Sequence, residues 1–153
     1  FDKQYLAVVR GRPDPAASRL SHFLLKNDKT NFVAVADSGT PGAVKAILDY
    51  TTRETRDGYS LVKIKLLTGR PHQIRVQMAT VGHPLVGDEK YNPEKKNEAL
   101  ALWSHSLAFS HPALGKKMRF FADPPVKFPW TLFHSLKSAE PPRKPGTPSK
   151  PGR

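Results

Sequence analysis

Leu67 to Tyr91 reads LTGRPHQIRVQMATVGHPLVGDEKY, and its spacing and punctuation decide how the rest is read. Thr68 is placed to cap a helix and Pro71 suits its first turn. Ile74, Met78 and Val81 recur at helical spacing before Gly82 stops the pattern. This is the one clear helix of the chain. Around it lie strand patterns: Tyr5–Arg10, Asn31–Ala36, Val44–Thr52, Tyr59–Leu67, Ala99–Phe109 and Lys117–Ala122. Turn signals separate them, among them Asp37-Ser38-Gly39-Thr40-Pro41-Gly42 and a loop ending at Asp57-Gly58, which makes its two flanking strands a long hairpin. His111-Pro112 breaks the last pair. Some six strands and one helix give an α+β domain with a largely antiparallel or mixed sheet.

Two arginines, Arg70 and Arg75, stand near the start of the predicted helix. The helix dipole disfavours cations there. Their placement points to an anion close by, either a phosphate or a carboxylate held bidentately. Charge over the whole chain agrees. There are 25 Lys and Arg against 13 Asp and Glu, a formal net charge of +12 over 153 residues. From Ser138 onward, Arg143, Lys144, Lys150 and Arg153 against Glu140 account for +3 of this, so the body keeps +9. A body this basic attracts polyanions, and nucleic acid is the expected partner rather than a membrane surface. Residues 1–136 are expected to form the folded portion. Residues 137–153, with five prolines and little to bury, read as a disordered tail.

Several chemistries are excluded. The chain has no cysteine, hence no disulfide, thiolate metal site or cysteine nucleophile. No G-x-S-x-G elbow occurs. His72, His83, His105 and His111 lack the spacing of a metal site, so no metal is expected. No apolar run reaches the roughly 18 residues of a membrane helix, and cytoplasm is the default expectation. The chain opens at Phe1, within a strand-like run, and reads as a piece of a longer product.

T-G-R-P-H-Q-I-R (Thr68–Arg75), followed by G-H-P-L-V-G-D-E-K-Y (Gly82–Tyr91), resembles the RluA-type RNA pseudouridine synthases. So do K-Q-Y-L-A-V-V-R-G (Lys3–Gly11), L-W-S-H-S-L-A-F-S-H-P (Leu102–Pro112) and F-F-A-D-P-P (Phe120–Pro125), in the same order over about residues 1 to 130. The resemblance implies the pseudouridine synthase α+β fold, with a mixed, mainly antiparallel sheet, incomplete at its N-terminal side. It implies an isomerase that converts uridine in structured RNA (ribosomal or transfer) to pseudouridine, using no cofactor, on a base flipped out of its stack. Tyr5 matches the tyrosine that stacks on the target base. Arg75 matches the arginine that pairs with the catalytic aspartate. Ile74 and Leu67 would pack around the site, and Leu107 or its strand neighbours would line the uracil pocket.

The aspartate itself is missing. Nothing here matches the family's H-R-L-D motif; Asp2 and Asp88 lie in other motifs, and Ser18-Arg19-Leu20-Ser21-His22 has no aspartate after its Arg-Leu pair. The chain alone is therefore expected to be inactive, the aspartate coming from upstream. Arg75 is expected to be partly exposed or paired elsewhere, with Asp88 as one stand-in. Arg10, Arg12, Lys65, Arg70, His72 and Lys90 are the candidate RNA contacts. Tyr91 and Trp103 are either stacking platforms or core, with core favoured for Trp103. Phe120, Phe121, Phe128, Trp130 and Phe133 read as a core or capping cluster. The rival readings are a metal enzyme and a non-catalytic RNA-binding module or degenerate paralogue. Sheet edges left bare by a missing segment are expected to pair edge to edge with another copy.

Overall fold

A computed structural model describes residues 2–92, 94 and 98–137. Of the expected tail, Lys137 belongs to the last described helix and residues 138–153 lie outside the described residues. Seven strands form one sheet: β1 (Asp2–Arg10), β2 (Ala17–Asn27), β3 (Phe32–Ala36), β4 (Val44–Arg56), β5 (Tyr59–Leu66), β6 (Leu102–Ser110) and β7 (Lys117–Phe121). Helix α1 (Gln73–Thr80) follows β5, and a 3-10 turn (Trp130–Leu132) with helix α2 (His134–Lys137) closes the described chain. The sheet order is β3-β2-β4-β5-β1-β6-β7, and each of its pairings is antiparallel.

Alternation along β1 explains the two-sided core. Ala7 and Val9 face Ile74 and Met78 of α1 together with Leu48, Val62 and Ile64. Leu6 and Val8 face the other way, onto Leu61, Trp130 and Phe133. One face is thus covered by α1 and the other by the C-terminal turn, and β1 is buried on both. Each fully buried Leu, Val or Met contributes on the order of 2 kcal/mol.

The β4–β5 hairpin is tighter than its sequence suggested. The strands run up to Arg56 and resume at Tyr59, leaving only Asp57 and Gly58 at the turn. Both have positive φ (54° and 80°), the geometry that matches the strand twist in two-residue hairpins. β2 was not foreseen. Its outward residues Arg19 and Ser21 are exposed while Leu24 is buried toward α1, so its apolar signal is confined to one face and diluted by Ser, His and Lys. The helix also starts later than Thr68 and Pro71 suggest. Its N-cap is His72, held in the left-handed region at φ 54°. Thr68 instead accepts the Ile47 N–H at 2.9 Å and donates to Gln73 Oε1 at 2.8 Å. Val81 lies just past the helix and is exposed.

The late aromatic residues do not form one cluster. Trp130 and Phe133 are buried, whereas Phe120, Phe121 and Phe128 are 53%, 65% and 43% exposed. Phe120 stacks on Phe109 at the sheet edge, and Phe128 meets Tyr59 edge-on. Trp103 is half-buried against the Trp130 and Phe133 cluster, its indole N–H donating to Ala122 O at 3.1 Å.

β6 pairs with β1 only as far as Ala7. Beyond it, the backbone of β1 is completed by other segments. Val8 donates to Ala101 O, Arg10 donates to Pro84 O, and Val86 donates to Val8 O. Residues 84–86 are thereby laid along the strand, which delivers the chain to Asp88 beside α1. Gly87 permits the crossing: at φ 77° a Cβ there would sit 2.2 Å from the Ala99 carbonyl oxygen. Gly87→Ala is expected to destabilise the domain by about 2 kcal/mol or more, because both strain and overlap oppose it. Urea denaturation measures this, and a midpoint equal to wild type would refute the close crossing.

Candidate functional site

The T-G-R-P-H-Q-I-R segment is shaped by Gln73, which is buried. Its Oε1 accepts from Thr68 Oγ1 and from the Arg70 N–H, and its Nε2 donates to Ile47 O at 3.0 Å. These bonds fasten the entry of α1 to β4, so that Arg75, two residues on, emerges toward the 84–92 loop.

Arg75 meets Asp88 there. Its Nε–H donates to Oδ2 at 3.0 Å and its Nη2 to Oδ1 at 2.8 Å, a bidentate pair. Asp88 Oδ1 also accepts the N–H groups of Lys90 and Tyr91 at 3.1 and 3.2 Å. The Asp88 side chain has no exposed area and that of Arg75 retains 19%. The bond to Asp88 holds the Arg75 guanidinium above its ordinary range. Arg75 is thus paired with Asp88, the stand-in carboxylate, and stays partly exposed. Because Asp88 occupies the Nε and Nη2 edge, the Nη1 end remains for a second anion.

Tyr91 braces the pair. Its ring lies under the Arg75 guanidinium, 5.2 Å from Cζ to centroid, a cation–π contact. Its hydroxyl accepts the Val33 N–H at 3.0 Å and bonds His72 Nδ1 at 2.8 Å. A hydroxyl already accepting from a backbone amide has its own proton to give, and a neutral His72 takes it at Nδ1. Desolvation first, then the charges of Arg75 and Lys90, lower the His72 pKa and favour that neutral ring. Lys90 reaches back to Asn31 O at 3.1 Å and lies over Phe32, whose ring meets Tyr91 edge-on.

Tyr5 sits on the same face of the sheet as α1, half-buried against the cluster that holds Ile74 and Met78. The two residues matched to catalytic roles therefore share a face. Among the candidate RNA contacts, His72 and Lys90 gather around Arg75. Arg70 is exposed at the head of the helix, its Nε–H donating to Lys45 O at 2.9 Å. Lys65 is on the opposite face, in register with Gln4 and Asp49. Arg10, paired with Glu94, and Arg12 lie at the far end of β1. Ile74 is buried, whereas Leu67 is 43% exposed. Leu107 is half-buried on β6, opposite Lys3. Gln73 was legible only as one letter of the T-G-R-P-H-Q-I-R motif and Phe32 carried no sequence signal: an amide and a strand phenylalanine become site residues by what they touch. Among the described residues, no group of three His, Asp or Glu side chains is placed to hold a metal ion.

The family model described as RNA pseudouridylate synthase matches residues 1–80. The chain is 34% identical over 143 residues to an uncharacterized RNA pseudouridine synthase of Mycobacterium bovis, covering 89% of this chain and 44% of that one. It is 34% identical over 126 residues to the dual-specificity RNA pseudouridine synthase RluA of Escherichia coli K12, covering 78% and 56%. It is 34% identical over 147 residues to the ribosomal large subunit pseudouridine synthase C of Haemophilus influenzae, covering 89% and 42%. The chain spans about half the length of these relatives. Among solved structures, human RNA pseudouridylate synthase domain containing 1 superposes with a TM-score of 0.69 at 26% identity, over 82% of this chain and 55% of that one. Human RNA pseudouridylate synthase domain containing 4 shares the fold, with a TM-score of 0.70 at 21% identity, over 89% and 62%.

Removing either member of the Arg75–Asp88 pair strands a charge in a mostly buried place. Asp88→Ala is expected to cost on the order of 3–5 kcal/mol, and Arg75→Lys to restore only part of what Arg75→Ala loses, since an ammonium cannot engage both oxygens. Equilibrium unfolding of the three variants checks this; an Asp88→Ala protein as stable as wild type would show that the pair does not hold the loop.

Proposed function

This chain belongs to the RNA pseudouridylate synthase family, and from that premise we propose that it carries the tyrosine and arginine side of a uridine-to-pseudouridine isomerase site. The observation that carries the reading is the placement of Tyr5 and Arg75 on one face of the sheet, with His72 and Lys90 beside the arginine. In this reading the substrate is structured RNA and the target uridine is flipped onto the Tyr5 face. Tyr5 stacks on the base. Arg75, anchored by Asp88 on one edge, offers its remaining N–H groups to the catalytic carboxylate and keeps it ionised and oriented.

That carboxylate is absent from the matched motifs, and Asp88 is committed to Arg75 with no exposed area. The chain by itself is accordingly inactive in this proposal. The N-glycosidic bond is broken and the ring rejoined through carbon 5 only when an H-R-L-D-type segment completes the site. A second reading, an RNA-binding module without chemistry, draws on the same missing motif and on the +12 charge. Release of tritium from RNA labelled at uridine carbon 5 separates the two. The expected result is no release by the chain as it stands and turnover by a version extended N-terminally with such a segment. RNA binding without release in both forms would favour the module. Turnover by the short chain would overturn the assignment of a missing carboxylate.

Edge-to-edge association belongs to the same proposal. β3 and β7 are the outer strands, and β7 bears Phe120 and Phe121, both more than half exposed. Unpaired edges with apolar side chains recruit other strands. Light scattering is expected to show dimers that grow with concentration, and a clean monomer at high concentration would count against them.

A further inference from the structure

The two outer strands of the sheet are not equally open. At β3 the loop that carries Asp88 closes most of the edge. Tyr91 takes the Val33 N–H on its hydroxyl at 3.0 Å, and the Lys90 ammonium donates to Asn31 O at 3.1 Å while lying over the Phe32 ring. Outward-facing backbone recurs every second residue along an antiparallel edge. With Asn31 and Val33 engaged, Val35 is the next in that series, and β3 ends one residue later at Ala36.

β7 has no such cover. In its ladder with β6, the Ala122 N–H donates to His105 O at 2.9 Å and the His111 N–H to Lys116 O at 2.7 Å. The register between those two ends is unbroken. Residues 116, 118, 120 and 122 therefore direct their backbone groups to β6, and Lys117, Arg119 and Phe121 turn theirs outward. Asp123 continues the outward series. Pro124 behind it favours an extended Asp123 and, lacking an N–H, ends the run. Among the described residues no hydrogen bond reaches the outward backbone groups of Lys117, Arg119 or Phe121.

The side chains of this edge are complementary to themselves in reverse. When two copies of β7 lie antiparallel about a two-fold axis at Phe120, Lys117 falls opposite Asp123 and Arg119 opposite Phe121, each twice. Lys117 and Asp123 are exposed and join no ion pair among the described residues. Arg119 is held loosely by Asp2 at 3.7 Å, keeps 50% of its side chain exposed, and already lies 5.9 Å from the centroid of its own Phe121 ring. A cation thus meets a carboxylate and a guanidinium meets an aromatic ring, the favourable cross-strand pairs. On the other face Phe120, 53% exposed and stacked on Phe109, meets its own counterpart at the close, non-hydrogen-bonded position. Other registers are poorer. An axis at Arg119 sets that arginine against itself, and an axis at Met118 sets Lys117 against Arg119. An axis at Phe121 keeps an Arg119–Asp123 pair but runs Lys117 into Pro125, which has no N–H to give.

We infer that β7 is the surface through which this chain associates with a second copy, antiparallel and with the two-fold axis at Phe120, so that the sheet continues across the interface. This deepens the edge-to-edge association proposed above and rests on that reading, with no appeal to RNA chemistry. Pairing consumes the β7 edge of both copies and β3 is largely closed, so the assembly stops at two. A contact of a few strand residues per copy is small for a specific interface, and the dimer is expected to form at about tens of micromolar.

Sedimentation of the full 153-residue chain over a range of concentrations measures the dimer constant. Lys117→Asp is expected to weaken the dimer about tenfold, because symmetry turns two attractive pairs into repulsive ones, and Asp123→Lys to do the same with the opposite sign. The two substitutions combined are expected to restore the wild-type constant. Both side chains are exposed, so the monomer fold is preserved. Val35→Lys on β3 is expected to change nothing, and exchange of the Arg119 and Phe121 amides is expected to slow as concentration rises. If the combined variant dimerises no better than either single one, the register is overturned although association stands. If Val35→Lys abolishes the dimer while the β7 amides exchange as in the monomer, β3 is the interface and the inference is overturned. A chain that stays monomeric at every concentration overturns both the inference and the association it rests on.

Discussion

A carboxylate with no exposed area cannot remain charged unless every part of its surroundings answers it. Asp88 receives two N–H groups from Arg75 and two from the backbone of its own loop. That demand links three pieces of chain that are remote in sequence or unrelated in type. The loop must cross at Gly87, where no side chain fits. The helix must present Arg75 at the right turn, which the buried Gln73 amide ensures by fastening the helix entry to β4. Tyr91, whose own N–H the Asp88 carboxylate accepts, then falls beneath the guanidinium and reaches both β3 and His72. Few of these contacts are strong alone. They are coupled because the charge at their centre has no access to water.

The same sheet separates roles by face and by end. β1 is buried on both sides, so it serves as the fixed member to which everything else is referred. Tyr5 shares the α1 face with the residues that surround Arg75. Lys65 and its register partner Asp49 belong to the other face, which the C-terminal turn covers only in part. β1 ends at Arg10, paired with Glu94, and Arg12 just beyond it joins no ion pair among the described residues. A net charge of +12 is therefore not one basic patch. It is partly consumed in internal pairs, and what remains is distributed over distinct surfaces.

How much was legible depended on whether a residue's role is local. The β4–β5 hairpin was readable because Asp57-Gly58 specifies its own turn and the alternation on each arm is strong. β2 was not, since half of its residues face water and its pairing is chosen by β3 and β4 on either side. The helix was recognised but begun too early, because Thr68 and Pro71 look like a helix start. Gln73 draws Thr68 into a different bond and leaves His72 to enter the helix from the left-handed region. The late aromatic run was read as one cluster. Its members alternate between a covered interior and an open edge, and composition cannot tell Phe133 from Phe121.

Order of motifs, turn chemistry, alternation and net charge are properties of the chain alone, and they were sufficient for the α+β class, for the family resemblance and for Arg75 as a residue that seeks an anion. They left Asp88 as only one of the anions open to it. Asp88 lies 13 residues from Arg75, and nothing in that separation says that a loop will carry the carboxylate back under the helix and out of the solvent. Nor does proximity in sequence say that Lys65 points away from Tyr5. Ion pairing and burial depend on distance in space, and only the packed sheet, by deciding which segments meet and which side of them is wet, sets those distances.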